Sequence, residues 1–326
     1  MTAERTKPNI LIRCEIGEPM LRRIEERAGK VYVEPWQPDG PEPALRAPLE
    51  ELDIVVTRGL ADEIRFAAEA PRLRWIHSVT VGVEKTLTPW VKANPIAVTN
   101  VRGLNAVPIA EYVMGALLAW NRGLYEFARQ QREKVWRTVD VREVSGSTIG
   151  IIGYGSIGRE IALRARAFGM SVLACSRRGG DASAEPVDRF VAPGDVDDLL
   201  SASDCVVDCL PQSPETFRFM NADRFRAMKR SALFINVGRG ATVDEEALLR
   251  CLRSGAIAGA VLDVFDTEPL PREHGFWEEE RIFVTPHNAF ASPKHWSRVF
   301  DHFIDNLDRF LRGGPLRNSV DKEKGY

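Results

Sequence analysis

The sequence predicts an α/β fold: two doubly wound parallel-sheet domains with a cleft between them. Three observations carry the prediction. Strand-length apolar runs alternate with helical stretches along much of the chain, as in successive βαβ units. One such run, residues 147–152, passes through a Gly-rich turn straight into a helix. The length, 326 residues, suits two domains of ordinary size.

Taken in order, Ile10-Leu11-Ile12 reads as the first strand. Residues 18–28 follow as a helix stopped by Gly29. Val31-Tyr32-Val33 is a second strand, and a proline-rich loop comes next, at Pro35, Pro38, Pro41, Pro43 and Pro48. Residues 53–57, 74–77 and 96–99 complete a first sheet. From Asn105 to about Arg122 the chain is helical and heavily apolar, with Ala110, Val113, Met114, Ala116, Leu117, Leu118, Ala119 and Trp120. Such a load predicts burial on most sides. A shorter helix follows near residues 125–136. The strand at 147–152 opens a second sheet, with further strands at 170–175, 205–209, 232–236, 258–262 and 282–285. A closing helix at 293–311 carries Val299, Phe303, Ile304, Leu307, Phe310 and Leu311 on one stripe, and is expected to return to the first domain. The predicted partition is residues 1–101 with 293–326 as one domain and 102–292 as the other. A chain that crosses twice between domains suits hinge closure on a ligand.

The turn at the start of the second sheet is Gly153-Tyr154-Gly155-Ser156-Ile157-Gly158. Between a strand and a helix, GxGxxG is a dinucleotide-binding pattern. Gly153 permits the tight turn, Gly155 lets a pyrophosphate approach the backbone, and Gly158 lets helix and strand pack closely. The helix N-terminus offers unpaired N–H groups and partial positive charge to the phosphates. An acidic residue about twenty positions on usually reads the adenosine ribose. Here the second strand ends in Ser176-Arg177-Arg178, with no carboxylate. Guanidinium groups suit a 2′-phosphate, so the expected cofactor is NADP, with NAD possible.

Open α/β sheets bind ligands at the carboxyl ends of their strands. Three loops at such ends carry chemistry: Asn236-Val237-Gly238-Arg239-Gly240, Asp263-Val264-Phe265-Asp266-Thr267-Glu268-Pro269, and Thr285-Pro286-His287-Asn288-Ala289. With the Gly-rich turn, Leu210-Pro211 and Pro214-Glu215-Thr216, these motifs stand in the order of a known family. The chain resembles the D-isomer-specific 2-hydroxyacid dehydrogenases, in the glyoxylate/hydroxypyruvate reductase neighbourhood, over nearly its whole length. The resemblance implies a Rossmann cofactor domain and a smaller flavodoxin-like substrate domain. It puts the substrate-binding arginine on Arg239, its acidic partner on Glu268 and the acid/base on His287. It puts the contact to the nicotinamide carboxamide on Asp263, and adds Leu210, Pro211, Val237 and Gly238 to the cofactor site. In the first domain it points to the turn after residues 76–78, where Val81 and Gly82 would offer backbone N–H groups to the substrate carboxylate. Arg58 is either a further residue of that wall or an ordinary turn charge. Trp296 is either a lid over the pocket or a core or interface residue. Two departures stand out: Ser176 in place of the acid, and Val101-Arg102-Gly103 where the family often has a Pro-Gly turn.

The chemistry fits these residue types. Reducing a 2-keto acid needs a hydride and a proton for the new alkoxide, and histidine, with a reference pKa of about 6.5, suits the proton transfer. A carboxylate bonded to it favours the charged form and fixes the ring, and an arginine holds the substrate carboxylate and polarises the keto oxygen. The expected function is thus reduction of glyoxylate- or hydroxypyruvate-type keto acids to D-2-hydroxy acids. Two rivals remain. An NAD-linked dehydrogenase of another small acid, formate or phosphite, is one; the formate branch usually has Gln beside its histidine, which Glu268 disfavours. A non-catalytic NAD(P) sensor on the same fold is the other. The formal net charge of −2 predicts no general attraction to nucleic acid or anionic membrane. Five cysteines and an N-terminus without an apolar core suggest a cytoplasmic protein with reduced thiols, and no metal site is expected. The apolar helix at 105–122 and Trp136 predict a homodimer built on the cofactor domain.

Overall fold

Apolar β-branched residues dominate the strands, and buried pairs of such strands are what a parallel sheet covered on both faces demands. The computed structural model describes residues 7–36, 45–59, 61–177 and 179–323. The chain divides into two compact units, Met1–Leu104 with Pro293–Tyr326, and Asn105–Ser292. In the first, Ile10–Ile12 (β1), Glu18–Glu25 (α1), Val31–Val33 (β2), Ile54–Thr57 (β3), Trp75–Ser78 (β4), Pro89–Ala93 (α2) and Ala97–Thr99 (β5) appear in turn. The sheet is parallel, in the order β2-β1-β3-β4-β5. This is the flavodoxin-like order, with its switch point between β1 and β3. Three of the proline-rich loop's residues, Pro38, Pro41 and Pro43, lie outside the described residues. Helix α1 ends at Glu25, short of the expected Ala28, because Glu26 already caps it through Arg22 and Ile24 carbonyls.

The second unit holds Ala106–Asn121 (α3), Leu124–Glu133 (α4), Thr148–Ile152 (β6), Ser156–Ala167 (α5), Ser171–Cys175 (β7), Arg189–Val191 (β8), Val196–Ala202 (α6), Cys205–Asp208 (β9), Ala222–Ala227 (α7), Leu233–Asn236 (β10), Glu245–Arg253 (α8), Gly259–Leu262 (β11) and Ile282–Val284 (β12). Its strands are all parallel, in the order β12-β11-β10-β9-β6-β7-β8, so the order reverses between β6 and β9. That switch point is where a doubly wound sheet opens a crevice for a ligand. The register makes the carboxyl ends flush: Ile152 pairs with Cys175 and Asp208, Asp208 with Asn236, Asn236 with Leu262, and Leu262 with Val284. The turns that follow these residues therefore emerge along one edge.

One face of this sheet packs Val113, Met114 and Leu117 of α3 and Ile161 and Ala165 of α5. The other packs Leu199, Phe225 and Leu248 of α6, α7 and α8. The apolar run of α3 is thus buried within its own unit as far as Leu117, with Leu118, Ala119 and Trp120 partly buried. Helix α4 stops at Glu133 rather than reaching Trp136, because Lys134 adopts a left-handed backbone at φ 57° and caps it. Exposure falls instead on Leu124, Phe127, Val135, Trp136 and Val141. The last helix, His295–Arg312 (α9), belongs to the first unit, where Phe303 and Phe310 stack on the buried Trp75 with ring centroids 5.2 and 5.5 Å apart. No helix among the described residues is long and apolar enough to cross a membrane.

Candidate active site

The Gly-rich turn joins β6 to α5 as the spacing predicts, and its three glycines occupy three different environments. Gly153 sits at φ 92°, and a Cβ there would stand 2.9 Å from the Cys209 carbonyl carbon. At Gly158 a Cβ would stand 3.0 Å from the Gly153 oxygen and 3.1 Å from Ile151 Cγ2, so helix and strand touch there. At Gly155, the N-cap of α5, a Cβ would meet nothing within 4 Å. An open cradle over a helix N-terminus is what a pyrophosphate requires, and the fit to a dinucleotide is good. Ser156 is exposed and Ile157 partly buried beside it. Tyr154 turns its ring edge toward Phe190 at 5.1 Å and its hydroxyl to Glu185 at 3.0 Å; burial first, and then Glu185, push that phenol's ionisation up.

The other expected cofactor residues gather around this turn. Gly153 and Tyr154 donate to the Cys175 carbonyl at the end of β7, at 3.1 and 3.3 Å, so Ser176 begins the neighbouring loop. Arg177 reaches toward Glu215 electrostatically; that exposed carboxyl is held low first by the Ser213 hydroxyl and also by Arg177. Arg178 lies outside the described residues. On the other side Leu210 is wedged between two turns: a Cβ on Gly238 would stand 2.6 Å from the Leu210 oxygen. Pro211 follows, exposed, and Val237 donates to the Asp208 carbonyl at 3.1 Å.

The candidate acid/base pair, His287 and Glu268, stands on two adjoining loops. Glu268 Oε1 accepts from its own loop's Phe265 N–H at 2.9 Å, which leaves Oε2 to meet His287 Nδ1 at 2.7 Å. The side chains are 35 % and 44 % exposed, open enough for His287 Nε2 to meet a substrate oxygen. His287 itself is left-handed, φ 50°, held by donation from its N–H to Asp263 and Thr285 carbonyls at 2.8 and 3.1 Å. Asp263 organises the loop from below. Its buried carboxylate accepts from the Thr285 hydroxyl at 2.6 Å and from the Asn288 and Ala289 N–H groups, both at 2.9 Å. Tyr112 Oη closes on Thr285 Oγ1 at 2.7 Å. Arg239 follows β10, half-buried, with Nη1 donating to the Gly238 carbonyl at 2.8 Å. Its turn lies against the Asp263–Glu268 loop so tightly that a Cβ on Gly240 would coincide with Phe265 backbone, 1.8 Å from its carbonyl carbon.

In the smaller unit, Arg58 and Gly82 follow β3 and β4 and are tied by one hydroxyl. Thr80 Oγ1 lies 3.1 Å from the Arg58 carbonyl and 2.8 Å from that of Gly82. Asn100 Nδ2 donates to the Val81 carbonyl at 2.8 Å. The sequence reading missed Tyr112, Thr285, Asp208 and Thr242, whose roles depend on register that the sequence does not print. It also missed His274, 3.3 Å from Glu245, whose Oε1 accepts the Asp266 N–H at 2.9 Å and so braces the Glu268 loop.

Residues 114–289 match the family model described as D-isomer specific 2-hydroxyacid dehydrogenase, NAD binding domain. The chain is 33 % identical to a glyoxylate reductase of Korarchaeum cryptofilum over 329 residues, covering 97 % of each chain. Among solved structures it is similar to a D-isomer specific 2-hydroxyacid dehydrogenase from Xanthobacter autotrophicus in complex with NADPH and MES. The TM-score is 0.82 at 29 % identity, over 98 % of this chain and 100 % of that one. It is likewise similar to the NADPH-dependent glyoxylate/hydroxypyruvate reductase of Sinorhizobium meliloti, with a TM-score of 0.81 at 28 % identity, over 98 % and 100 % of the two chains.

Proposed function

The chain belongs to the D-isomer specific 2-hydroxyacid dehydrogenase family, and from that premise we propose that it reduces small 2-keto acids of the glyoxylate and hydroxypyruvate type with NADPH to D-2-hydroxy acids. The observation that carries the proposal is the 2.7 Å contact of His287 with Glu268 beside the Arg239 turn. The nicotinamide cofactor supplies the hydride when bound. Gly153 to Gly158 would hold its phosphates, Leu210, Pro211, Val237 and Gly238 would line its site, and Asp263 would meet its carboxamide. Arg239 grips the substrate carboxylate and draws charge from the keto oxygen. Protonated His287 gives its Nε2 proton to that oxygen, while Glu268 on Nδ1 orients the ring and stabilises its charged form. Relatives that are reductases favour this reading over a non-catalytic sensor.

Ser176 and Arg177, with Arg178, support NADPH over NADH, because this stretch carries two cations suited to a 2′-phosphate and no carboxylate of its own. The exposed Leu124, Phe127, Val135, Trp136 and Val141 support a homodimer built on the larger unit. Five free cysteines, four of them buried, support a reducing cytoplasm. The test is a matrix of glyoxylate, hydroxypyruvate and larger keto acids against NADPH and NADH, for the parent and Ser176→Asp. The parent should favour NADPH, and the variant should lose roughly ten- to a hundred-fold in NADPH affinity through repulsion of the 2′-phosphate. Equal kcat/KM for both cofactors in the parent would remove the NADPH assignment.

A further inference from the structure

Asp208 ends β9 at the switch point of the larger sheet, and its side chain is wholly buried. Oδ1 accepts the Leu210 N–H at 2.8 Å. Oδ2 lies 2.6 Å from Thr242 Oγ1, and that same hydroxyl lies 2.6 Å from the Arg239 carbonyl oxygen. Two short oxygen–oxygen contacts in series need two protons. Thr242 brings one and the Arg239 carbonyl brings none, so the second must sit on Asp208. The chain then runs in one direction: Asp208 donates to Thr242, and Thr242 donates to Arg239. With Asp208 ionised, the hydroxyl turns to the carboxylate. The Arg239 carbonyl then keeps the Asn236 Nδ2 and Thr242 N–H donors, each at the longer distance of 3.2 Å, and loses its one short bond.

We propose that Asp208 and Thr242 are positioning residues for Arg239, a buried proton relay that holds the substrate-gripping turn firmly when Asp208 is protonated and slackens it when Asp208 ionises. The proposal rests on the reductase reading, in which Arg239 binds the keto acid. The surroundings support a titration in a useful range: burial raises the Asp208 carboxyl to about 6, against the opposing Thr242 and Leu210 bonds. Its register partners, Ile152 on β6 and Asn236 on β10, carry no charge. The adjacent titratable group is Cys209, a thiol that burial, and then Asp208 itself, keep protonated. From the turn after β10 comes Arg239, whose Nη1 is directed to Gly238.

The experiment is the KM for glyoxylate at saturating NADPH, from about pH 5 to about pH 8, for the parent, Asp208→Asn, Thr242→Ser and Thr242→Val. Loss of one hydrogen bond predicts that the parent KM rises about two- to ten-fold across an ionisation near 6. Asp208→Asn donates to Thr242 permanently, so its KM should stay low and flat. Thr242→Ser should keep the parent's step, and Thr242→Val should be flat and high. An Asp208→Asn profile that keeps the parent's step, or a Thr242→Val KM equal to the parent's throughout, would overturn the relay. Infrared spectra of the parent and Asp208→Asn form a second arm that needs no turnover. A carboxylic acid band that titrates near 6 and vanishes in Asp208→Asn supports the relay; a carboxylate fully ionised at about pH 5 overturns it. If no keto acid is reduced by any form, the reductase reading fails, and the infrared arm still decides the protonation of Asp208.

Discussion

His287 holds a backbone conformation, φ 50°, that costs a residue with a Cβ roughly 1–2 kcal/mol. Two backbone bonds and the Asp263 cradle under the next two N–H groups keep it there, and the result is a ring presented to Glu268. That arrangement makes Glu268→Gln a pointed test. An amide can flip and holds the ring less firmly than a carboxylate does, so Glu268→Gln should lower kcat for reduction while leaving NADPH binding nearly intact. A variant whose kcat equals the parent's would dissolve the pairing. Asp208 predicts a pH effect on stability. Its folded-state pKa, about 6, is raised above the ordinary 3.8. The native state therefore binds more protons than the unfolded chain between those values, and stability from this group is full below about pH 4 and falls as pH rises through about 6, by about 3 kcal/mol. Denaturant unfolding of Asp208→Asn should show a correspondingly flatter profile; a slope equal to the parent's would contradict the buried carboxyl. At this scale the sequence shows Arg239, Glu268 and His287 because they stand in recognisable loops. It hides Thr242 and Asp208 because a threonine and an aspartate acquire their roles only when β9 and β10 are laid side by side.

The strand–turn–helix unit of β6 and α5 is the element most completely legible in the sequence. Its glycines predict a split between stability and binding. Gly158→Val must part the helix from Ile151 and the Gly153 carbonyl, and should cost roughly 1–3 kcal/mol of stability. Gly155→Val projects into open space, so thermal stability should stay within about 0.5 kcal/mol of the parent. NADPH binding should nonetheless weaken at least about ten-fold, since the methyls stand where the pyrophosphate must approach. Calorimetric unfolding paired with cofactor titration checks both; a Gly155→Val protein that binds NADPH normally would detach the turn from the cofactor. Other elements were less legible. Edge strand β8, Arg189–Val191, is three residues long and opens on an arginine, so it offers little apolar run to find. Helices α6 and α7 have only seven and six residues, too few for a 3.6-residue period to emerge. The end of α4 was misplaced because Lys134 gives no warning of a left-handed cap, whereas a glycine would have.

For the molecule as a whole, the two α/β sheets follow from alternation of strand and helix, but their strand orders do not. Where each sheet reverses depends on which crossovers return and which continue, information carried by packing rather than by local pattern. The proposed assembly also shifts its footing in three dimensions. Of the α3 residues that suggested a partner, Ala110, Val113, Met114, Ala116 and Leu117 are buried in their own unit and Leu118, Ala119 and Trp120 partly so, while Trp136 and its neighbours remain exposed. Sedimentation at micromolar concentration should give a dimer, and Trp136→Glu should raise the dissociation constant by about ten-fold or more. A monomeric parent would refute the assembly. The central claim, that Arg239, Glu268 and His287 serve reduction of a small 2-keto acid, is tested most directly by one measurement. It is the steady-state rate of NADPH oxidation with hydroxypyruvate, in the parent and in His287→Ala. The account predicts ready turnover by the parent and a kcat lower by about 10²–10⁴-fold in the variant, with NADPH binding nearly intact. A parent that oxidises no NADPH with the small keto acids, or a variant whose kcat is near normal, would contradict it.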